Sequence, residues 1–486
     1  MKNLEAENVK IPADTADIER NTTDVAGKYS GFWLEFKKLS VLAWPLLIAQ
    51  VTQTLMGVSD TIMAGHYNSL DMAAVAIGYG STMPLLIFLQ GICLALSPQV
   101  ARLDGAKNAN KVASWVQQCF YLVVTIGFIF MMIFPFVPSL LAKVNMAAEL
   151  RNETSQYIQF ILLAAPGFAI YQTLRNYCEG LSSTRPTMII MLIGLCINVP
   201  ANYLFINGIE VNGVQWIPEM GGAGCGLATM LVIYGMALST FIYTRKQTSL
   251  KKYDLYSNWT APALNNIKTL LVLGLPIAFT LLAEVTLFSI SAILLSPFGA
   301  LTVASHQVAL NFSALIFMLP LSIGMAVAIR IGYVIGEGHN YKAALAYRAA
   351  LVLAISTVFF TTSFTVINAS WIVRLYTPEV EVITAAIGLL ILAAIFQFPD
   401  AIQVVGANSL RGYKDNKAML LISLFAYWGI GFPTAIVLGL TDIIVPKMAA
   451  KGFWIGFILG LSSAAIMMTA RVLIIQQRVK SESSAF

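Results

Sequence analysis

Residues 267–296 read IKTLLVLGLPIAFTLLAEVTLFSISAILLS, and from Thr269 to Ser296 the one charged side chain is Glu284. A helix rises about 1.5 Å per residue, so about 20 apolar residues cross the roughly 30 Å hydrocarbon core of a bilayer. This stretch is long enough to span, and the same reading applies along the chain. Twelve such segments are expected, at 40–65, 72–98, 113–142, 154–178, 187–208, 221–244, 267–296, 301–327, 344–373, 381–408, 418–440 and 451–476.

Composition agrees. Hydrophobic residues make up 58% of the 486 positions and charged residues 11%, and the mean hydropathy is +0.75. A soluble domain carries about 25% charged residues, so this chain could not cover a globular surface in water. Collagen-like, disordered and nucleic-acid-binding classes are excluded with it. The expected fold class is an all-α membrane protein of twelve transmembrane helices. The five cysteines (Cys93, Cys119, Cys178, Cys196, Cys225) show no C-x-x-C and no metal spacing, and read as small packing residues. Three histidines leave a multi-ligand transition-metal site improbable. Residues 1–38 are polar, of mixed charge and without an apolar h-region, so the first span is expected to act as the insertion signal.

Lysine and arginine positions set the expected orientation. With twelve spans, 25 of these residues fall on the side of the termini and 5 (Lys143, Arg151, Arg374, Lys447, Lys451) on the other. The positive-inside rule then places both termini in the cytoplasm of a multi-pass protein of the bacterial inner (plasma) membrane. The net charge of +6 is a topology signal rather than a nucleic-acid footprint.

The two halves are alike at a shift of about 231 residues. Pro45 matches Pro276, Val100–Gly105 lies opposite Ile331–Gly336, and Gly222-x-x-x-Gly226 corresponds to Gly452-x-x-x-Gly456. The expected organisation is a polar cytoplasmic segment 1–38, a six-helix bundle 39–244, a cytoplasmic linker 245–266, a second six-helix bundle 267–476 and a tail 477–486. Six spans per half make the repeats parallel, related by a pseudo-two-fold along the membrane normal, with the cavity between them.

Three acids fall well inside spans: Asp60, Glu284 and Asp400. An ionised carboxylate at the bilayer centre costs roughly 2.5–3.5 kcal/mol, so each needs a partner or a role. Interhelical hydrogen bonding is one reading; a cation or proton site facing a wet cavity is the other. Phe288 follows Glu284 by four residues and Phe396 precedes Asp400 by four, so each acid shares a helix face with an aromatic ring. Carboxylate plus π-face suits a cation. Asn198 and Asn202, on one face of the fifth span, and Glu179, ending the fourth, are possible companions of Asp60. His306, opening the eighth span, reads first as a hydrogen-bonded structural residue and second as a proton relay. Pro45, Pro276, Pro399 and Pro433 are expected to interrupt and bend their helices. Gly452, Gly456 and Gly460 read as close helix packing, and Asp71, near a span end, as a dispensable acid. No G-x-x-x-x-G-K-[ST] is present, so active transport would draw on an ion gradient.

Four segments carry a resemblance: WPLLIAQVTQTLMGVSDTIMAGH around Asp60, AEVTLFSISAILLSPFGALTVASHQVALNFS around Glu284, IFQFPDAIQVVGANSLRGYKD around Asp400, and AAKGFWIGFILGLS into the last span. Together, over residues 39–476, they resemble the multidrug and toxic compound extrusion (MATE) family, in its NorM-like subgroup. The resemblance implies two bundles forming a V, and export of cationic drugs or dyes by Na⁺ or H⁺ antiport, with no cofactor, by a monomer. It implies Glu284 and Asp400 as the carboxylates that hold the coupling ion, sodium included, with Phe288 nearby. Asp60, with Asn198 and Asn202, would be the acid of the first half. The NorM-like pattern has tyrosine where Phe396 stands, so one hydroxyl is missing. A lipid-linked oligosaccharide flippase of the same superfamily would be expected to line its cavity with Arg or Lys, which the span interiors almost lack. A membrane-embedded enzyme using the three acids would need a nucleophile or metal motif, and none accompanies them.

Overall fold

A chain segment in lipid must satisfy every backbone N–H and C=O from within itself, and a helix does so. The computed structural model describes residues 13–211 and 214–483. Among these, twelve helices are long and apolar enough to cross a bilayer: Gly31–Tyr67, Ser69–Gly105, Ala109–Leu141, Ala148–Gly180, Arg185–Asn207, Gly221–Lys246, Leu264–Phe298, Ala300–Gly336, Asn340–Ile367, Val380–Gly412, Asn416–Leu440 and Ala450–Ser481. We number these spans 1 to 12. Each overlies one expected segment. Span 9 ends six residues early, at Ile367, where Asn368 caps it and a short helix Ala369–Arg374 follows. The helix of span 1 reaches back to Ala13, into the expected polar segment, whose first twelve residues lie outside the described part. The last three residues of the expected tail also lie outside it.

Two features depart from expectation. Residues Ile209–Val211 (β1) and Val214–Ile217 (β2) pair antiparallel between spans 5 and 6, a small sheet in a chain expected to be all helix. The prolines, expected to interrupt helices, leave them continuous: Pro45, Pro276 and Pro399 each sit inside a helix that runs on past them. Breaks occur elsewhere. Pro98 has no N–H for the Leu94 carbonyl, and span 2 pauses at Ala95. In span 11 the turns Phe425–Gly431 are π-helical, widened just ahead of Pro433, whose ring would otherwise crowd the Gly429 carbonyl.

Residues 245–266 are docked rather than loose. Gln117 donates to the carbonyls of Leu255 (2.8 Å) and Asn258 (3.0 Å), and Gln118 donates to that of Ala261 (2.9 Å). Tyr253 donates to Asp104 at 2.5 Å.

Twelve spans put both chain ends on one side, here called the terminal side, and the two halves interlock there. Leu39, Leu42, Ala43 and Leu46 of span 1 are buried in one core with Ala326, Ala350, Leu410 and Met468 of the second half. Reciprocally, Leu270 and Ala278 of span 7 are buried with Cys93, Val116 and Leu174 of the first. Spans 2 and 8 cross at their terminal-side ends through glycine. A Cβ on Gly105 would run into the Tyr333 carbonyl, and one on Gly336 into the Arg102 carbonyl. Gly105 and Gly336 are equivalent in the repeat, as are Arg102 and Tyr333. The contact is therefore self-complementary, and the pseudo-two-fold axis passes through it. Beside it Arg330 of span 8 donates to both oxygens of Glu35 on span 1, Nε to Oε2 and Nη2 to Oε1, each at 2.6 Å and buried. Span 12 packs its glycines on span 11, Gly456 against Ala435 and Gly460 against Gly431.

Because backbone meets backbone at the crossing, Gly105→Val and Gly336→Val should each destabilise the protein by about 1–3 kcal/mol through overpacking. Gly80→Val and Gly235→Val, where a Cβ meets nothing within 4 Å, should be near neutral. Thermal unfolding in detergent compares the four; equal losses would remove the seam from its place in the fold.

Candidate cation sites in the two halves

Asp60 lies about seven turns beyond Glu35 along span 1 and is buried. Its Oδ1 accepts from Asn202 Nδ2 of span 5 (2.7 Å) and its Oδ2 from Thr229 Oγ1 of span 6 (2.8 Å). Asn202 also donates to Asn198 Oδ1 one turn away (3.2 Å), and Asn198 donates to Thr229 (3.3 Å). Cys225 Sγ approaches the Asp60 carbonyl at 3.5 Å. One oxygen in this cluster, Asn202 Oδ1, is buried without a partner. Carboxylate, amide and hydroxyl oxygens from three spans are the donor set a hard monovalent cation takes, and the orphaned amide oxygen fits such an ion.

The second half builds its site differently. Asp400 of span 10 is buried and Glu284 of span 7 half-buried, and the rings one turn from each, Phe396 and Phe288, are in contact. Among the described residues no donor lies within hydrogen-bonding distance of either carboxylate. Their wall is aromatic: Phe288 meets Phe396 edge-on at 6.3 Å and Phe457 at 5.1 Å, and Phe396 meets Trp454 at 5.6 Å.

Neither cluster includes Glu179 or His306. Glu179 pairs with Arg175 one turn earlier on span 4 (Nε to Oε1, 2.7 Å), and Arg175 also donates to Gln50 (2.6 Å) and Gln53 (3.2 Å) of span 1. Those glutamines precede Asp60 by ten and seven residues, so Glu179 sits about two to three turns nearer the terminal side. His306 is buried, with Nε2 3.2 Å from Ser291 Oγ and its ring against Trp454. Nor is Asp71 a free span-end acid: it is buried and its Oδ1 accepts from the Gly222 N–H at 2.6 Å, which ties the start of span 6 to span 2.

The MatE family profile matches residues 45–204 and again 276–437, one copy in each half. The chain belongs to the MatE family. It is a multi-pass membrane transporter and not an enzyme. A probable multidrug resistance protein NorM of Shewanella oneidensis is 45% identical over 450 residues, covering 93% of this chain and 96% of the relative. The multidrug resistance protein MdtK of Pectobacterium atrosepticum is 43% identical, covering 91% and 96%. Among solved structures, the eukaryotic MATE transporter AtDTX14 shares the fold, with a TM-score of 0.82 at 20% identity over 93% of this chain and 98% of that one.

In this MatE transporter, sequence reasoning assembled Asp60 with both asparagines but missed Thr229. Threonines in spans mostly return their hydroxyl to their own helix, as Thr240 does to the Met236 carbonyl (2.8 Å). Thr229 instead crosses to another span. Thr229→Val should leave a buried carboxylate oxygen short of a donor and destabilise the protein by about 1–3 kcal/mol. Thr240→Val should cost less than half as much. Melting temperatures of the two variants check this, and a reversed order would remove Thr229 from the cluster.

Proposed function

We propose that this protein is a multidrug efflux antiporter that exports organic cations in exchange for Na⁺ or H⁺ by alternating access. One observation carries the reading. Among the described residues no lysine or arginine lies within ion-pair distance of Asp60, Glu284 or Asp400, so the charge that neutralises them must come from outside the protein. An intramembrane carboxylate without a fixed counter-charge is stable only with a proton, a metal cation or a cationic substrate beside it. The printed names of the bacterial relatives, multidrug resistance proteins, support drugs as the cargo. Aromatic rings around Glu284 and Asp400 favour flat, monovalent cations such as dyes. Each acid cluster is completed within one chain, which suits a monomer.

In this reading the terminal side is cytoplasmic, following the lysine and arginine distribution, and the membrane is the bacterial inner membrane. The seam among spans 1, 2, 7 and 8 then closes the cytoplasmic end. Ion and drug must favour opposite states of the same equilibrium, each through its differential affinity for the two.

Proteoliposomes with separately imposed Na⁺ and H⁺ gradients test the proposal. Wild type should export a cationic dye under one of them. Asp400→Asn and Glu284→Gln should fold and insert, yet lose at least about tenfold in gradient-driven efflux, which is about 1.4 kcal/mol or more of coupling. Asp442→Asn, exposed and paired only with Lys447, should match wild type. Transport of anionic lipid-linked sugars in place of the dye would favour a flippase, and full efflux by both neutralised variants would leave the acids as packing groups.

Orientation is tested on intact cells. An epitope at Thr248 should be reached only after permeabilisation, and one at Gln215 in the hairpin from outside. Labelling of both from the same side would contradict the proposed topology.

A further inference from the structure

At its terminal-side mouth the seam holds a cavity of about 280 Å³ with a polar lining. Lys38 of span 1 and Ser182, in the turn after span 4, come from the first half. Arg330, Tyr333 and Glu337 of span 8 and Lys342 of span 9 come from the second. A water occupies about 30 Å³, so the space takes a tetrahedral oxyanion together with some solvent.

The charges around it do not balance. Lys38, Arg330 and Lys342 stand against Glu337 in the lining and Glu35 bonded to Arg330, three cations to two acids. Glu35 accepts from Arg330 Nε and Nη2 and has Lys38 Nζ at 3.7 Å. Those bonds leave Arg330 Nη1 without an acceptor among the described residues. The guanidinium lies over the Tyr333 ring, 5.4 Å from its centroid, which fixes its plane. Lys342 is half-buried, and among the described residues no acid lies within ion-pair distance of it. An unpaired ammonium beside a free guanidinium edge is a donor set that phosphate oxygens fit.

The cavity lies at the depth of lipid headgroups. Lys38 and Lys342 stand at the terminal-side ends of spans 1 and 9, which run side by side there. A Cβ on Gly31 would meet the Leu345 side chain at 3.5 Å. Trp33 and Tyr341, within two turns of the two lysines, are exposed, and such rings at span ends mark the membrane–water interface. Phosphate is the anion concentrated at that level, and anionic lipids attract basic groups to it.

We infer that this cavity binds a phosphate group, with Lys38 and Lys342 as counter-ions and Arg330 Nη1 as hydrogen-bond donor, so that one anion joins the two halves. A phospholipid headgroup and free phosphate present the same oxygens. Separating the halves on the terminal side takes Lys38 and Ser182 away from the other four residues and dismantles the site. The anion therefore binds the closed terminal side alone and shifts the equilibrium toward it. This last step rests on the alternating-access reading; the site itself does not.

Thermal unfolding of the full chain in detergent tests the site, with phosphatidylglycerol, inorganic phosphate or phosphatidylcholine added in turn. One of the first two, or both, should raise the melting temperature saturably. Phosphatidylcholine, whose choline offsets its phosphate charge, should not. A rise with phosphatidylglycerol alone assigns the headgroup, one with inorganic phosphate alone assigns the free ion, and both together support the shared site. Lys342→Gln should raise the half-saturating concentration about tenfold, the scale of one contact with a charged group. Lys38→Gln combined with Lys342→Gln should abolish the rise. Lys251→Gln, which removes an exposed linker charge, should respond as wild type does. No rise with either phosphate, or a loss in Lys251→Gln as large as in Lys342→Gln, overturns the site. Spin labels at the exposed positions Lys111 and Asn340, one in each half, report closure once exposed Cys196 is replaced by serine. The active phosphate should move the distance distribution toward its shorter component, and not in the double variant. A melting shift without that change keeps the anion site and overturns the closure. One fixed distance under every drug and ion gradient counts against alternating access itself.

Discussion

Everything in this molecule hangs on one crossing, where the terminal-side ends of spans 2 and 8 pass so closely that only hydrogen fits between glycine and the opposing carbonyl. In lipid there is no hydrophobic force to press two apolar helices together, since the tails are as apolar as the side chains. Close backbone approach is what remains, and it works only where side chains are missing. Gly105 and Gly336 occupy equivalent places in the two halves, so one sequence feature, present twice, makes both sides of the contact. The bidentate Glu35–Arg330 pair adds charge to the same end. The two cores confirm how deep the join goes, because each contains the first turns of a helix that belongs to the other half.

The charged groups divide by what neutralises them. At the seam and just above it, acids meet guanidinium: Glu35 with Arg330, Glu179 with Arg175. A buried pair of this kind brings little net stability, but losing either partner strands the other at a cost of about 3–5 kcal/mol. Such pairs suit a fixed closure. Farther from the terminal side the pattern changes to acids surrounded by amide, hydroxyl and aromatic groups, with no fixed cation. The same residue types thus serve two ends, one set self-sufficient and the other incomplete by construction. The halves are also unequal. The carboxylate of Asp60 accepts from two side-chain donors, whereas Glu284 and Asp400 have none among the described residues.

Much of this was readable from the chain. The spans follow from composition and the repeat from spacing. The pairing of Asp60 with Asn198 and Asn202 follows from an i, i+4 face and little else. The failures have particular causes. Glu179 looked available because it ends a span, yet Arg175 four residues earlier on the same helix was the sign of its true partner. The hairpin Ile209–Ile217 was announced by Asn-Gly at 212–213, a dipeptide favoured in tight two-residue turns. Its own placement lies outside the described residues. Pro45, Pro276 and Pro399 leave their helices continuous because a helix surrounded by neighbours can lose one hydrogen bond without breaking. Thr229 was invisible for a different reason. Nothing local distinguishes a threonine that bonds its own helix from one that reaches across.

Placing this glycine crossing at one end of two long helices has a mechanical result. Span 8 has 37 residues, which at about 1.5 Å per residue makes a rod of roughly 55 Å. Its fulcrum, at Gly332 and Gly336, lies in the last turns. Tilting such a rod by about a tenth of a radian moves its far tip by about 5 Å while the atoms at the fulcrum shift by well under 1 Å. The arrangement is a lever with nearly all its length on one arm. Small displacements near the glycines are magnified into an aperture at the opposite face, and force applied by a bound molecule far from the fulcrum is concentrated on a few backbone atoms.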